Sequence, residues 1–335
     1  MQVKQWRRIG WIAIGLGLVL GVLGYAIGEY FVSFALIPNR GGESRQVQSH
    51  HATDAFRLSP KSAQRIQTNK DKANARRDQW LQAVSDMSQS VQITSHDHLQ
   101  LHGHTYVQKQ TSHRWVILVH GYQSSEEDAL QLAPAFYREG YNILSVDMRS
   151  HDQSEGQYIG MGILDRHDLK AWTDFIIDKD AQAEIVYHGT SMGGATVLMA
   201  SSLDLPSNVK AIISDCAYTS VWEIFASELD QRFNLPAFPV LYLADTVAGL
   251  KAGYHFNQAS PQQAMSQNHL PILFIHTQKD DFVPVTMLEK LYQADISKEK
   301  AKLIIEDGHH ADAKHADPDR YYATIFNFLE TYVTP

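Results

Sequence analysis

The pattern of apolar and polar residues changes twice along the chain, and its first part is a long apolar run. Residues 9–28 read IGWIAIGLGLVLGVLGYAIG and carry no charge. Twenty helical residues span about 30 Å, the thickness of the hydrocarbon core of a bilayer. Aromatic residues stand at or near both ends of the run, as they do at membrane interfaces: Trp6, Trp11, Tyr25, Tyr30 and Phe31. The run therefore predicts a transmembrane signal-anchor helix over residues 9–28.

Two other interpretations of this run remain open. A cleaved signal peptide has a shorter apolar core, and Ala26-Ile27-Gly28 is only a weak cleavage site. A buried helix of a soluble domain is disfavoured because the run is apolar on all sides. Basic residues precede the run, which predicts that residues 1–8 are cytoplasmic and that the following domain is on the extracellular side of the cell membrane: Lys4, Arg7 and Arg8.

A polar stretch follows the apolar run. Residues 39–79 carry nine Lys and Arg against four Asp and Glu, with Gly41-Gly42 near the start. We expect residues 29–84 to form a juxtamembrane segment and linker, with a solvated helix around residues 61–84. Its basic residues could touch lipid headgroups, but a solvated linker is the simpler interpretation.

From residue 91 onward, short apolar segments recur at regular intervals. Residues 91–95 and 99–107 alternate like the two strands of a hairpin. Continuous apolar runs then predict strands that are buried on both faces: 115–120, 142–147, 184–189, 209–215, 271–277 and 301–307. Helical patterns separate several of them: 126–139, 163–178 and 192–203. A final helix is predicted over residues 318–332. This alternation predicts an α/β domain over residues 85–335 with a mostly parallel central sheet flanked by helices.

Residues 216–268 interrupt the alternation. The segment is rich in aromatic residues and proline and stands between two predicted strands. This position and composition are typical of a small helical cap over a site.

The net charge and the cysteine content exclude two classes of protein, those that bind nucleic acid and those that are stabilised by disulfides. The 335-residue chain has a net charge of −8, and residues 80–335 alone carry 17 basic against 32 acidic side chains. Such a domain repels nucleic acid, so we expect no nucleic-acid partner. Cys216 is the one cysteine, which excludes an intramolecular disulfide. We expect it to be a buried, inert thiol.

One glycine-rich turn contains a candidate nucleophile. Gly189-Thr190-Ser191-Met192-Gly193 lies between a predicted strand and a predicted helix. This context fits the nucleophile elbow, in which a tight turn lifts the serine hydroxyl above the sheet and requires small neighbours. The helix that starts at Met192 would present its N-terminal dipole to a bound anion.

A serine hydroxyl needs a base, and the base needs a carboxylate that orients it. Asp280-Asp281 follows the strand 271–277, and His309-His310 follows the strand 301–307. All of them fall on the carboxyl edge of the sheet, where α/β sheets build their sites. Asp215, at the end of another strand, is a less favoured candidate for the acid.

A further strand end offers a backbone donor. His120-Gly121-Tyr122 follows the strand 115–120. A loop there can supply a second N–H group beside that of Met192, so that the two amides stabilise an oxyanion.

Together these motifs resemble the bacterial α/β-hydrolase superfamily, in particular membrane-anchored members close to the serine-aminopeptidase-like (S33-type) hydrolases. The resemblance covers about residues 91–335, and residues 29–39 are also similar. It is carried by these motifs: His120-Gly121-Tyr122, Asp147 to Gly156, Gly189 to Gly193, Asp280 to Pro284 and His310-Ala311. Two residues depart from the pattern: Asp152 and Thr277 stand where glycine is usual.

The resemblance implies a role for each site residue. Ser191 is the nucleophile, Asp280 rather than Asp281 is the acid, and His310 rather than His309 is the base. The backbone N–H groups of Tyr122 and Met192 are the oxyanion donors. The implied reaction is acyl transfer to water through an acyl-enzyme, without a metal or an organic cofactor. We expect the substrate to be a carboxylic ester because the sequence offers no evident anchor for the terminus of a peptide.

Alternatives to this function come from three directions. A serine peptidase acting on short peptides would use the same residues, and a non-catalytic, tethered binding protein would keep only the fold. Four histidines of the predicted hairpin could suggest a metal site, but no carboxylate or cysteine completes a convincing set of ligands. We therefore expect these histidines to be polar, outward-facing side chains: His96, His98, His102 and His104. We expect Asp147, Arg149 and His151 to tie loops together.

Overall fold

The computed structural model describes residues 2–38 and 56–334, so that part of the predicted linker, including Gly41-Gly42, lies outside the described residues. The first element is helix α1, Gln2–Leu36. Its segment Ile9–Leu36 has a mean hydropathy of 2.0 and is long and apolar enough to cross a membrane. Large apolar side chains from Trp6 to Leu23 are exposed around it.

Helix α2, Pro60–Ala83, matches the helix that was predicted over residues 61–84. Ser59 caps it, accepting a hydrogen bond from the Ser62 N–H group. The expectation that this helix is simply solvated is wrong in part. Ile66 and Ala73 are buried, and Asn69 donates a hydrogen bond to the backbone oxygen of His315 at 2.8 Å. One face of α2 therefore packs on the domain.

After a short 3₁₀ turn at Ser85–Met87, eight strands form one sheet. They are β1 Ser88–Thr94, β2 Gln100–Tyr106, β3 Arg114–Val119, β4 Asn142–Val146, β5 Glu184–Thr190, β6 Val209–Asp215, β7 Ile272–Thr277 and β8 Lys300–Ile305. Their order is β1-β2-β4-β3-β5-β6-β7-β8. The β1–β2 hairpin is antiparallel, β2 pairs antiparallel with β4, and the other pairings are parallel. The predicted mostly parallel sheet is confirmed.

The helices of the domain lie between these strands or follow the last of them. They are α3 Glu126–Ala129, α4 Ala133–Arg138, α5 Asp165–Lys179, α6 Met192–Ala200, α7 Val221–Phe233, α8 Ala237–Lys251, α9 Pro261–Met265, α10 Val285–Ala294, α11 Ala313–Ala316 and α12 Pro318–Leu329. The single helix expected over residues 126–139 is two short helices. Pro134 stands in the first turn of α4, where its missing N–H group is tolerated. In the interior of one continuous helix over residues 126–139, the same proline would break the hydrogen-bond pattern.

The two faces of the sheet carry separate cores. Ile117 packs in the cluster that contains Trp172, whereas its neighbours Val116 and Leu118 pack with Phe136 on the other side. Adjacent strand residues point to opposite faces, so continuous apolar runs are required wherever helices cover both.

Helices α7, α8 and α9 occupy the region of the predicted cap, and α8 packs against α1. A Cβ atom at Gly28 would lie 2.5 Å from the backbone oxygen of Leu243 and 2.7 Å from Val247 Cγ2. Gly24 also faces Leu243. Their small-residue spacing, a weak indication of helix pairing between copies, serves in this structure to seat α1 on the chain's own cap.

Candidate active site

Ser191 sits in a strained turn between β5 and α6. Its backbone angles are φ 57° and ψ −116°, a left-handed conformation that non-glycine residues adopt at a cost of about 1–3 kcal/mol. A Cβ atom at Gly189 would lie 2.2 Å from the Gly193 oxygen, and one at Gly193 would lie 2.2 Å from the Val119 oxygen. Both positions therefore require glycine, as the elbow motif predicts.

His310 and Asp280 are brought together with Ser191. The His310 Nε2 atom lies 2.7 Å from Ser191 Oγ, and the His310 Nδ1 atom lies 2.8 Å from Asp280 Oδ2. Asp280 follows β7 and His310 follows β8, so three residues far apart in sequence converge at the carboxyl edge of the sheet.

The Asp280 carboxylate is completely buried and fully engaged. Its Oδ1 atom accepts hydrogen bonds from the N–H groups of Phe282 and Val283. Burial acts to raise the pKa of Asp280, but the positive charge of His310 and hydrogen bonds from His276 and His310 outweigh burial and hold the pKa well below its usual value. Asp280 is therefore an anion at neutral pH.

The contact with Asp280 also shifts the pKa of His310. Burial acts to lower the pKa of His310, but the charge of Asp280 outweighs it and raises the pKa well above 6.5. The Cys216 sulfur also lies within 4.8 Å of the His310 ring and the Asp280 carboxylate. Burial raises the pKa of this thiol, which keeps it protonated, as expected of an inert cysteine.

The competing residues point elsewhere. The His309 Nδ1 atom lies 3.3 Å from the Lys279 oxygen and 3.7 Å from Asp281 Oδ1. Asp215 accepts a hydrogen bond from the Tyr321 hydroxyl at 3.0 Å. The geometry therefore favours His310 over His309, and Asp280 over both Asp281 and Asp215.

The loop His120-Gly121-Tyr122 passes directly beside Ser191. A Cβ atom at Gly121 would lie 3.4 Å from Ser191 Cβ. Met192 follows the serine as the first residue of α6. These positions are consistent with the predicted oxyanion donors, the N–H groups of Tyr122 and Met192, whose role stays a prediction.

Two histidines hold this loop in place. The His120 Nδ1–H group donates to the Gly121 oxygen, and His120 Nε2 accepts from the Met148 N–H group. His151 Nε2 similarly accepts from the Gln123 N–H group. Burial, followed by the charge of His151, lowers the pKa of His120 to about 3, so the ring is neutral and both contacts persist. Sequence reasoning did not assign this role to His120.

The residues Asp147, Arg149 and His151 tie loops together, as expected. Arg149 bonds Asp168 at 2.7 Å and Asp97 at 2.9 Å. His96 lies near the same two carboxylates, close enough for a metal site, but both carboxylates already accept hydrogen bonds from the Arg149 guanidinium. Nearby, His104 bonds Glu126 at 2.5 Å, so hydrogen bonding accounts for this histidine.

Two chambers of different character meet at Ser191. A cleft of about 640 Å³ contains polar side chains, including three from α2: Gln67, Lys70 and Asn74. A cavity of about 90 Å³ on the other side is lined mainly by apolar side chains from α1, α7 and α8. Sequence reasoning missed the contributions of α1 and α2. The one available signal was the family-like segment 29–39, which contains Phe31, Phe34 and Ala35.

Comparisons with known proteins identify the family and the fold. Residues 114–248 match the α/β-hydrolase fold family model. The uncharacterized protein YqkD of Bacillus subtilis is 30% identical over 216 residues, which cover 64% of this chain and 70% of YqkD. The chain belongs to the α/β-hydrolase family.

Solved structures of other proteins share the fold of this α/β hydrolase. The Pyrococcus furiosus esterase Pf2001 superposes with a TM-score of 0.62 at 21% identity, covering 75% of this chain and 95% of the esterase. The acylaminoacyl peptidase of Pyrococcus horikoshii superposes with a TM-score of 0.52 at 18% identity, covering 72% of this chain and 41% of the peptidase. One fold thus serves both esterases and peptidases, and the fold alone does not choose between them.

Proposed function

We propose that this protein is a membrane-anchored serine hydrolase that cleaves carboxylic esters through an acyl-enzyme. The observation that carries the proposal is the continuous hydrogen-bonded chain from Ser191 Oγ to His310, at 2.7 Å, and from His310 to Asp280, at 2.8 Å. A serine, a histidine and a buried carboxylate in this arrangement activate the hydroxyl for attack on a carbonyl carbon.

The proposed reaction proceeds in two halves. His310 Nε2 takes the Ser191 proton while Oγ attacks the ester carbonyl, and the protonated ring then donates that proton to the leaving alcohol as the C–O bond breaks. A water molecule attacks the acyl-enzyme in the same way, giving its proton to His310 and releasing the carboxylic acid. Ser191 recovers its proton, so the enzyme is unchanged.

Charge develops at two places during each half. Asp280 stabilises the protonated His310 ring, and the low pKa of Asp280 keeps its charge available. The N–H groups of Tyr122 and Met192 face the oxyanion in this proposal, and removal of one such donor typically costs about 10²–10³-fold in rate.

The preference for esters rests on the character of the cavity beside Ser191. Residues such as Phe225, Leu229 and Leu241 line it, and they suit the apolar acyl part of an ester. The exposed apolar part of α1 supports attachment to the membrane, with the domain on the extracellular side as the basic residues before the helix predict.

A fluorophosphonate probe tests the proposal directly. The wild-type protein should form a covalent adduct, whereas Ser191→Ala should form none. Ser202→Ala is the matched control, since Ser202 is a partly exposed serine just after α6 that donates to the Met199 oxygen and accepts from the Arg166 guanidinium. If the folded wild-type protein stays unlabelled, the tethered binding protein is the better interpretation.

The S33-type resemblance keeps a peptidase as the second candidate. Rates on p-nitrophenyl esters of several chain lengths should exceed those on aminoacyl anilides by at least tenfold. Faster anilide turnover would overturn the ester assignment while leaving the serine mechanism intact.

A further inference from the structure

The apolar cavity beside Ser191 shares a wall with the candidate membrane helix. Phe31, Phe34 and Ala35 of α1 line this cavity together with Ser191. Farther toward its N-terminus, the same helix exposes apolar side chains on all sides. The surface that would contact lipid and the wall of the candidate acyl cavity are therefore parts of one continuous helix.

The end of α1 is fixed to the site by hydrogen bonds as well as by packing. The Tyr122 hydroxyl donates to the Ala35 oxygen at 2.5 Å, and the Ile159 N–H group donates to the Leu36 oxygen at 2.7 Å. Tyr122 belongs to the loop that passes beside Ser191. The end of α1 is consequently attached directly to the domain beside the site.

Helix α8 crosses α1 where the uncharged run ends. Leu243 of α8 contacts both Gly24 and Gly28 of α1, the last turns of the run. The next residue, Glu29, pairs with Lys251 of α8 at 2.6 Å. Charged groups stay out of the hydrocarbon core, so this ion pair marks the level of the headgroups.

The outer face of α8 exposes three large apolar side chains beside α1. Phe238 is 72% exposed, Tyr242 is 54% exposed and Leu250 is 73% exposed. Tyr25 and Tyr30 of α1 are also exposed. Aromatic side chains concentrate at membrane interfaces, and exposed apolar side chains beside a candidate membrane helix mark a contact surface.

We propose that α8 rests in the bilayer interface beside α1, and that the substrate is a membrane-resident acyl ester whose chain passes from the lipid into the α1-lined cavity. The polar part of this amphiphile occupies the cleft along α2 on the other side of Ser191. The substrate class rests on the proposed hydrolase function, whereas the docking of α8 does not.

The docking is tested without any catalytic readout. Cys216 is buried and is the one cysteine in the chain, so a fluorophore attached to Leu250→Cys reports from a single exposed position. In nanodiscs that hold one copy, doxyl-labelled lipids should quench this fluorophore at least threefold more than one on Gln182→Cys. Gln182 is the matched exposed site, in the turn before β5 at the amino edge of the sheet. Equal quenching at both positions would overturn the docking of α8.

The substrate class is tested with two esters that share a leaving group. The ratio of kcat/KM for p-nitrophenyl dodecanoate, held in ether-linked phosphatidylcholine vesicles, to that for soluble p-nitrophenyl butanoate should fall at least tenfold in Ala35→Phe. That substitution fills the cavity wall. Ala26→Phe makes the same change at an exposed position of α1 and should leave the ratio unchanged.

The outcomes separate the two levels of the proposal. A wild-type protein that hydrolyses butanoate but not the vesicle-held dodecanoate would overturn the lipid substrate and leave the hydrolase intact. An unchanged ratio in Ala35→Phe would overturn the route through the α1-lined cavity. Failure on both esters together with no fluorophosphonate labelling would overturn the hydrolase itself, and the quenching result would still decide whether α8 docks.

Discussion

The two sides of Ser191 are built from different forces. On one side, Ser191, His310 and Asp280 form a chain of short hydrogen bonds that ends at a buried charge. His276 lies 3.3 Å from the same carboxylate. On the other side, Phe31 and Phe34 of α1 pack edge-on against Phe233 of α7, with ring centroids 5.2 and 5.5 Å apart. Directional bonds to a buried charge fail when one atom changes, whereas packing between aromatic rings weakens gradually. We therefore expect all-or-none effects on the first side and graded effects on the second.

The largest expected effect comes from Asp280→Asn. The substitution keeps the shape of the side chain but removes the charge that orients and stabilises protonated His310. By analogy with other serine-histidine-aspartate triads, kcat/KM for a soluble ester should fall by about 10⁴-fold. The control is Asp281→Asn, which changes the neighbouring, partly exposed carboxylate and should alter kcat/KM by less than about threefold. Equal losses in the two variants would mean that the acid has been misassigned.

A smaller loss is expected when the loop beside Ser191 is released. His120→Ala removes the contacts to the Gly121 oxygen and the Met148 N–H group, so the Tyr122 amide should shift. Displacements of about 1 Å in an active site cost on the order of 10²-fold in rate, and we expect this loss in kcat with little change in KM. Because a positioning role depends on these bonds, His120→Gln should restore part of kcat. Unchanged kcat in a folded His120→Ala protein would remove the loop from the mechanism.

The dependence of the rate on pH tests the protonation state of His310 on the hydrogen-bonded side. Only neutral His310 can accept the Ser191 proton, and the charge of Asp280 raises the pKa of His310 well above 6.5. The rate should therefore fall about tenfold per pH unit below a midpoint above pH 6.5. In Asp280→Asn the raising charge is gone, so the residual activity should show a midpoint at lower pH. The measurement is kcat/KM against pH for both proteins, and a midpoint that stays in place would assign it to another group.

Sequence reasoning located the hydrogen-bonded side more fully than the packed side, for a physical reason. Each member of the Ser191, Asp280 and His310 set directly follows a strand, and parallel strands place their carboxyl ends at a common edge. The elbow also imposes glycine at positions 189 and 193, which leaves a local signature. The strands and the order of motifs along the chain therefore predicted which loops converge, whereas the choice of Asp280 over Asp281 and of His310 over His309 came from the family resemblance.

The packed side leaves no such signature. Phe31 contacts Phe233 across more than two hundred residues, and either aromatic residue is ordinary where it stands in the sequence. An apolar run predicts that α1 prefers lipid, but not that its last turns form a wall of the cavity. The same holds for α2, whose polar sequence predicted a solvated helix although its buried Ile66 and Ala73 seat it beside the cleft. Contacts of this kind are decided by how helices pack and not by local spacing.

The smallest expected effect tests the packed side itself. Phe233→Ala removes the ring that Phe31 and Phe34 both contact, and because Phe233 is only half-buried we expect a loss of about 2 kcal/mol in the free energy of unfolding. Butanoate hydrolysis should fall less than about fivefold, because no hydrogen bond of the His310 chain is touched.

Phe328→Ala on α12, a half-buried ring that contacts Tyr332, is the matched control: it should cost similar stability without changing the preference for long over short acyl chains. Phe233→Ala should lower that preference, since its ring lines the cavity. A loss of butanoate activity as steep as that of Asp280→Asn would show that the packing of α1 and the triad form one cooperative unit, and the distinction between the two sides of Ser191 would not hold.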